Sequence, residues 1–288
     1  MKFFFSIIIF SLLSQTISGQ IVNGRIIDAS NGNPLEYASI GAIGTPLGCI
    51  TDKEGKFELD LSSLSKEATI NVSMISYRSQ SFSLQEFITL GKTIALVPSP
   101  TQLSDIIIRP AGRTFKIGVF TFDRKALYGW TGAEPGKGRE KGTQFYLGKK
   151  PVRLLSLHMN LAVNSFDTCF FRMHIRKLEH DFPTDELLTE NIVIPINVQT
   201  GWYEFDLDKY NLVFKDKIAL TLELLKNGKL IEKSLSEDGK KIIPRIYFNL
   251  NMKRRGEGLF VKDGVEGNWQ WAKRNPTMYI TVQELNNK

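Results

Sequence analysis

The chain has 288 residues, 42% of them hydrophobic and 23% charged, a balance that argues against disorder and, at roughly 100–200 residues per domain, leaves room for two domains. Its formal net charge of +7 is unevenly spread: residues 20–110 hold seven basic and nine acidic side chains, and residues 111–288 hold twenty-nine and twenty-one. The basic residues are dispersed along the span in runs of at most three, which describes a solvated basic surface rather than a nucleic-acid footprint.

At the start, Lys2 precedes an apolar stretch from Phe3 to Leu13, too short to span a bilayer, and small or polar residues lead on to Gly19. This is the pattern of a secretory signal over residues 1–19, with Gln20 as the expected mature N-terminus. No cysteine near that point could take a lipid, and no later apolar run is long enough for a transmembrane helix. The expectation is an exported protein: periplasmic, associated with the outer membrane, or secreted.

Residues 20–110 alternate short strand patterns with turn signals. Strands are expected at Ile21 to Asp28, Leu35 to Ile43, Cys49 to Thr51, Lys56 to Leu61, Thr69 to Ile75, Gln80 to Leu84, Lys92 to Val97 and Leu103 to Ile108, with no helix. Turns fall at Ala29-Ser30-Asn31-Gly32-Asn33-Pro34, at Gly44-Thr45-Pro46-Leu47-Gly48 and at Asp52-Lys53-Glu54-Gly55. In the last of these, Asp52 can bond the backbone of its own turn. Gly24 and Gly55 are read as places where the backbone needs freedom.

These residues resemble a known family. Val22-Asn23-Gly24-Arg25-Ile26 with Asp28, Gly32-Asn33-Pro34-Leu35, Thr51-Asp52-Lys53-Glu54-Gly55-Lys56-Phe57 and Ser76-Tyr77-Arg78 together look like the carboxypeptidase-regulatory-like domain. The resemblance implies a seven-stranded transthyretin-like Greek-key sandwich. Leu103 to Ile108 also resembles the strand that closes this domain in exported envelope proteins, including TonB-dependent transporters. The metallocarboxypeptidase zinc site needs histidines, and residues 20–110 contain none.

Residues 111–288 are again strand-rich. In Val152 to Val163 the residues Leu155, Leu157, Met159, Leu161 and Val163 share one face and Ser156, His158 and Asn160 the other. In Cys169 to Lys177 the residues Cys169, Phe171, Met173 and Ile175 alternate with Phe170, Arg172, His174 and Arg176. A hairpin closed by Asn164 to Thr168 would set Val163 against Cys169 and His158 against His174. Further strands are expected at Ile192 to Val198, Trp202 to Leu207, Lys217 to Leu225, Ile243 to Leu250 and Met278 to Glu284. Gly201 to Leu207 and Thr277 to Val282 are similar to jelly-roll domains of the carbohydrate-binding type. The resulting expectation is an all-β chain of two sandwiches, transthyretin-like over 20–110 and jelly-roll-like over 111–288.

No motif for catalysis emerges. Gly132 to Gly138 has three residues between Gly132 and Gly136 where a Walker A loop needs four, and Gly138 follows the lysine, so it reads as a surface loop. No Gly-x-Ser-x-Gly elbow occurs. His158 and His174 lack an evident third ligand, and Arg172 and Arg176 would repel a cation, so no metal or other cofactor is expected. Cys49 and Cys169 read as buried thiols without a disulfide. Carboxylate pairs such as Glu204 with Asp206 or Asp185 with Glu186 leave a glycan-acting hydrolase as an alternative.

Four aromatic residues are the candidate ligand contacts. Trp269 and Trp271 lie two apart between strands, and Tyr128 with Trp130 borders a glycine-rich loop. Exposed, such rings can stack on the apolar faces of sugars; buried, they seal a sandwich end or a domain interface. The functional expectation is a non-enzymatic envelope protein that binds a polysaccharide or an envelope protein, with a structural accessory of a TonB-dependent transporter as a third reading.

Overall fold

The computed structural model describes residues 21–90, 92–99, 110–131, 135–231, 243–252 and 258–285. The expected signal peptide and the strand at Leu103 to Ile108 lie outside these. Within them the chain is all-β, with two buried cores.

The first core belongs to two sheets. Strands β1 (Ile21–Asp28), β2 (Ser39–Ala42), β3 (Gly48–Ile50), β4 (Lys56–Asp60), β5 (Thr69–Ser73), β6 (Gln80–Ser83) and β7 (Thr93–Leu96) form sheets of order β4-β1-β7 and β3-β2-β5-β6. Alternation in β4 buries Phe57 and Leu59 against Ile26, Ile40, Ile70 and Leu96. The turn at Asp52 behaves as expected: its Oδ1 accepts from Glu54 N at 3.0 Å and Lys56 N at 2.8 Å, and Gly55 adopts φ +73°. Gly24 does not need such freedom. It sits opposite Phe57 in the β1–β4 ladder, outside the positive-φ glycines.

The remaining motif residues tie the loops together. Asp28, buried at the end of β1, accepts from Ser30 N at 2.7 Å and from the Tyr77 hydroxyl at 2.9 Å. Buried Thr51 donates to Leu35 O at 2.5 Å and accepts from Ala38 N at 2.8 Å. These bonds satisfy backbone groups that loop packing removes from water.

One element departs from the expectation of no helix: α1 (Leu84–Leu90) follows β6. Its signal is local. Ser83-Leu84-Gln85-Glu86 is a capping box in which Glu86 Oε2 accepts from Ser83 N at 2.8 Å and Ser83 Oγ from Glu86 N at 3.3 Å. The helix then buries Phe87 fully, against Phe57 at 5.8 Å and Phe82 at 6.3 Å between ring centroids.

The second core is larger and is enclosed by β8 (Pro110–Gly118), β9 (Asp123–Thr131), β10 (Glu140–Asn164), β11 (Cys169–Glu179), β12 (Phe182–Glu186), β13 (Ile192–Ile196), β14 (Gly201–Asp206), β15 (Val213–Asn227), β16 (Arg245–Asn251), β17 (Leu259–Lys262), β18 (Trp269–Ala272), β19 (Asn275–Pro276) and β20 (Met278–Leu285). The 25-residue β10 serves both walls. Its first half pairs with β15 and β17; beyond register shifts around Gly148, its second half pairs with β14, β20 and β16. A bulge of this kind bends a strand so that it can pass from one sheet of a sandwich into the other.

The hairpin between Val163 and Cys169 does not form. β11 pairs with β15, β13 and β12, while His158 stands opposite Glu204 and Tyr279 and His174 opposite Thr221. Leu157, Met159 and Leu161 meet Phe171, Met173 and Ile175 in one core, so the two strands face each other across it. Alternation assigns the inward face in either arrangement and is silent on the partner. The two cysteines are free; Cys169 is buried and Cys49 partly so, and burial pushes each thiol up to about 12.

Because Phe87 plugs the first core from outside its sheets, Phe87→Ala is expected to destabilise the protein by about 3–5 kcal/mol. Urea unfolding followed by circular dichroism measures this, and a loss below about 1 kcal/mol would show that the helix is not part of that core.

Candidate functional site

β11, β15, β10 and β17 place one row of charged residues on the outer face of the second sandwich. The register runs Arg172↔Glu223, Glu223↔Glu140 and Glu140↔Lys262, and Trp269 of β18 stands opposite Lys262. His174 and Arg176 follow at every second position of β11, and Glu186 reaches in from β12. Alternation sends this row outward while Phe171, Met173, Leu222 and Leu224 enter the core.

That face is nevertheless buried. Arg172 is 2% exposed, Glu223 2%, Glu140 2% and His174 5%, because the sheet carrying β2 and β5 lies over them. Arg172 spends all its donors here: Nε on Glu223 at 2.8 Å, one terminal nitrogen on Tyr37 O at 2.7 Å, and the other on Ser39 Oγ at 2.8 Å and Glu223 at 2.6 Å. His174 bridges Glu186 through Nδ1 at 2.6 Å and Glu223 through Nε2 at 3.1 Å. Glu140 collects Arg176 at 2.9 Å, Lys262 at 2.5 Å and the Thr221 hydroxyl at 2.8 Å.

The loop from Asp263 to Asn268 completes the contact. Val265 is buried where Gly41 and Gly48 leave space: a Cβ on either would come within 2.8 Å of its side chain. Glu266 accepts from Asn71 Nδ2 at 2.7 Å and, through its carbonyl, from Gly44 N at 2.9 Å. Ser76 donates to Thr189 O. Between these contacts remains a cleft of about 440 Å³, lined by the charged row, serines of the first sandwich and Trp269.

The charges in the cleft compensate one another. Burial raises the Glu223 carboxyl, but Arg172 and His174 outweigh it and bring it down to about 2. Burial likewise raises Glu140 and Glu186, yet Arg176, His174 and Lys262 hold Glu140 well below the usual carboxylate range, and His174 and Arg176 hold Glu186 below it. Burial lowers the His174 imidazole, and Glu140 and Glu186 more than reverse this, so it stays protonated above its ordinary 6.5. All three glutamates are therefore anions, with no proton to donate near neutral pH.

A second constellation lies on the outer face of the opposite sheet. Ser156 Oγ is 2.8 Å from His158 Nε2, a serine–histidine pair. Glu204 approaches that same nitrogen, at 3.8 Å, whereas a nucleophile-activating triad has its acid on Nδ1, where no carboxylate is placed among the described residues. Burial lowers the His158 pKa. Among the described residues no group of three or more His, Cys, Asp or Glu side chains is arranged to hold a metal ion.

The aromatic candidates separate. Tyr128 and Trp130 are 7% and 3% exposed and belong to the core, Tyr128 against Phe248 at 5.5 Å and Trp130 against Phe171 at 5.1 Å. They are not exposed rings, since the loop edge assigned to them is the inward face of β9. Trp269 and Trp271 share the outer face of β18. Trp269 forms a cleft wall under Lys262 and Arg176, whose cationic groups lie 5.2 and 5.9 Å from its ring centroid; Trp271 is 48% exposed. Of the carboxylate pairs, Glu204 and Asp206 share a face of β14, whereas Glu186 enters the cleft and Asp185 is exposed.

Residues 22–108 match the family model of the CarboxypepD_reg-like domain, so the first sandwich is such a domain. No curated protein matches the sequence. Among solved structures, the cysteine protease and lectin-like domains of a surface-layer-associated protein of Clostridium difficile align at 7% identity and TM-score 0.38, over 86% of this chain and 59% of that one. A structure of infectious bursal disease virus aligns at 8% identity and TM-score 0.28, over 93% and 60%. A structure of carbohydrate-binding modules of the β-sandwich superfamily aligns at 10% identity and TM-score 0.18, over 80% and 95%. This chain thus spans about three-fifths of the first two structures.

Two outcomes test the clamp. Arg172→Met leaves Glu223 buried with only His174, among the described residues, bonded to it, and is expected to cost about 3–5 kcal/mol in urea unfolding; an unchanged midpoint would show that the pair does not hold the sandwiches together. The His174 contribution is fully present below its unfolded value of about 6.5 and is lost as pH rises through the raised folded value. The glutamate contributions, with depressed folded values, are present above the ordinary carboxylate range and lost as pH falls through those values. The melting-temperature gap between the parent and His174→Gln should therefore narrow above about pH 7; a gap constant from pH 6 to 9 would contradict a protonated His174.

Proposed function

We propose that this chain is an exported, non-enzymatic binding or assembly protein of the bacterial cell envelope, recognising a glycan or an envelope protein with its two sandwiches held as one unit. The observation that carries this reading is the complete compensation of the cleft. A glycan hydrolase needs a carboxyl kept protonated near neutral pH beside a second carboxylate, and here each cleft glutamate is held ionised by a buried cation.

Export rests on the stretch from Lys2 to Gly19, and the CarboxypepD_reg-like match is in keeping with it. No helix among the described residues is long and apolar enough to cross a membrane. The basic balance of residues 111–288 is spent partly inside the protein, on Arg172, Arg176 and Lys262, which leaves less of it for an anionic partner.

The test is incubation of the purified protein with a panel of neutral and acidic oligosaccharides and with whole envelope fractions, reading new reducing ends and retained partners together. Retention of a polysaccharide or protein without new reducing ends is the expected result. Reducing ends whose release is abolished by Glu223→Gln or Glu140→Gln would overturn the non-enzymatic reading. Mass spectrometry of the exported protein should find Gln20 at its N-terminus; a chain that keeps Lys2 in the cell would overturn export.

A further inference from the structure

The outer face of β14, β10, β20 and β8 is the other charged and aromatic surface of the second sandwich, and it lies open. In register across it stand Glu204, His158 and Tyr279, and beside them Asp206, Ser156, Thr281 and Lys116. Tyr279 is the hub: His158 stacks on it at 4.1 Å and 10°, Phe120 lies at 4.8 Å, Trp202 meets it edge-on at 5.1 Å, and Lys116 Nζ sits 5.0 Å from its centroid. The cluster holds Tyr279 in place while Trp202 and Phe120 remain 42% and 44% exposed. Beside it is an open groove of about 680 Å³ lined by Lys116, Ser156, His158, Glu204, Asp206 and Thr281 among others.

We propose that this face is a binding site for a neutral, hydroxyl-rich saccharide chain, which packs on Trp202 and Phe120 and hydrogen-bonds to Glu204, Asp206 and Lys116. The proposal rests on the binding reading above and names the surface and ligand class that it leaves open.

The chemistry of the face selects this occupant. Rings fixed by their neighbours bury the apolar face of a sugar at little entropic cost. Glu204 and Asp206 are acceptors on one edge of the groove and Lys116 is a donor on the other, a mixture that matches hydroxyls, which both give and accept. An acidic saccharide is disfavoured because Glu204, Asp206 and Asp208 line the groove, while Arg153, a cation on the same side, is already bound to Asp208 at 2.8 Å. A protein surface would have to strip water from the same carboxylates without the dense hydroxyls that repay it.

Intrinsic fluorescence of the full protein, titrated with cellohexaose, xylohexaose and mannohexaose as neutral probes and hexagalacturonic acid as the acidic one, tests the proposal. The variants are Trp202→Ala and, as a control at the other exposed tryptophan, Trp271→Ala; the exposure of both rings preserves folding, which thermal melting verifies. The expected result is saturable binding of at least one neutral probe, weakened at least about tenfold by Trp202→Ala and unchanged by Trp271→Ala. Neutral binding lost through Trp271 but not Trp202 overturns this location and leaves the binding reading intact. Binding of the acidic probe alone overturns the ligand class, and binding of no probe overturns the site while a protein partner in the envelope remains. Chromatography of the probe afterwards separates the two readings: a cleaved probe overturns the non-enzymatic reading, whatever Trp202→Ala does to affinity.

Discussion

Burying a row of charges under a second sandwich is possible only when each charge finds its opposite at hydrogen-bonding distance, because an uncompensated ion in a low-dielectric interface costs several kcal/mol. Lys262, Glu140, Glu223 and Arg172 meet that condition by register: four neighbouring strands each bring one charge to the same level. His174 adds a cation between the glutamates, and Arg172 extends the network onto Tyr37 and Ser39 of the first sandwich. The relative placement of the two cores depends on this row. Buried ion pairs add little net stability, but they are directional, and a displaced cover would leave several of them unpaired at once.

The same strand reaches both candidate faces. β10 brings Glu140 to the clamp with its first half and, past the irregularity at Gly148, brings Ser156 and His158 to the aromatic face with its second. One face is closed, with its charges paired; the other is open and holds its rings against each other. A molecule built this way can present the open face from a fixed support. The CarboxypepD_reg-like sandwich then acts as the cover of the clamp as well as a module in its own right, with Val265 seated in the hollow that Gly41 and Gly48 leave.

Much of the first sandwich is legible in the chain. Short alternating runs, the Asp52 turn and the Asp28 and Tyr77 positions are local features, each satisfied within a few residues or by one hydrogen bond. The helix at Leu84 was equally local, announced by Ser83 and Glu86, but its seven residues are too few for a helical period to stand out against the strand beside it. In the second sandwich, alternation identified the inward residues of β11 and, in β10, Leu157, Met159 and Leu161, but the register shift between Leu154 and Ser156 turns Leu154 into the core and leaves Leu155 on the open groove, and Val163 stays outside the core. Arg172 and His174 have the composition of a wet face, and only the arrival of the first sandwich makes that face dry.

Legible from the chain alone are the all-β class, most of the inward positions and the resemblance of residues 20–110 to the carboxypeptidase-regulatory-like domain. These are set by side-chain period and turn chemistry, which act over a few residues. Strand partners, the burial of Tyr128 and Trp130, the ion row and the aromatic cluster around Tyr279 were decided by tertiary structure alone. Each joins residues tens to more than a hundred positions apart, and pairing at that range follows from which sheets pack together, a choice that alternation leaves open.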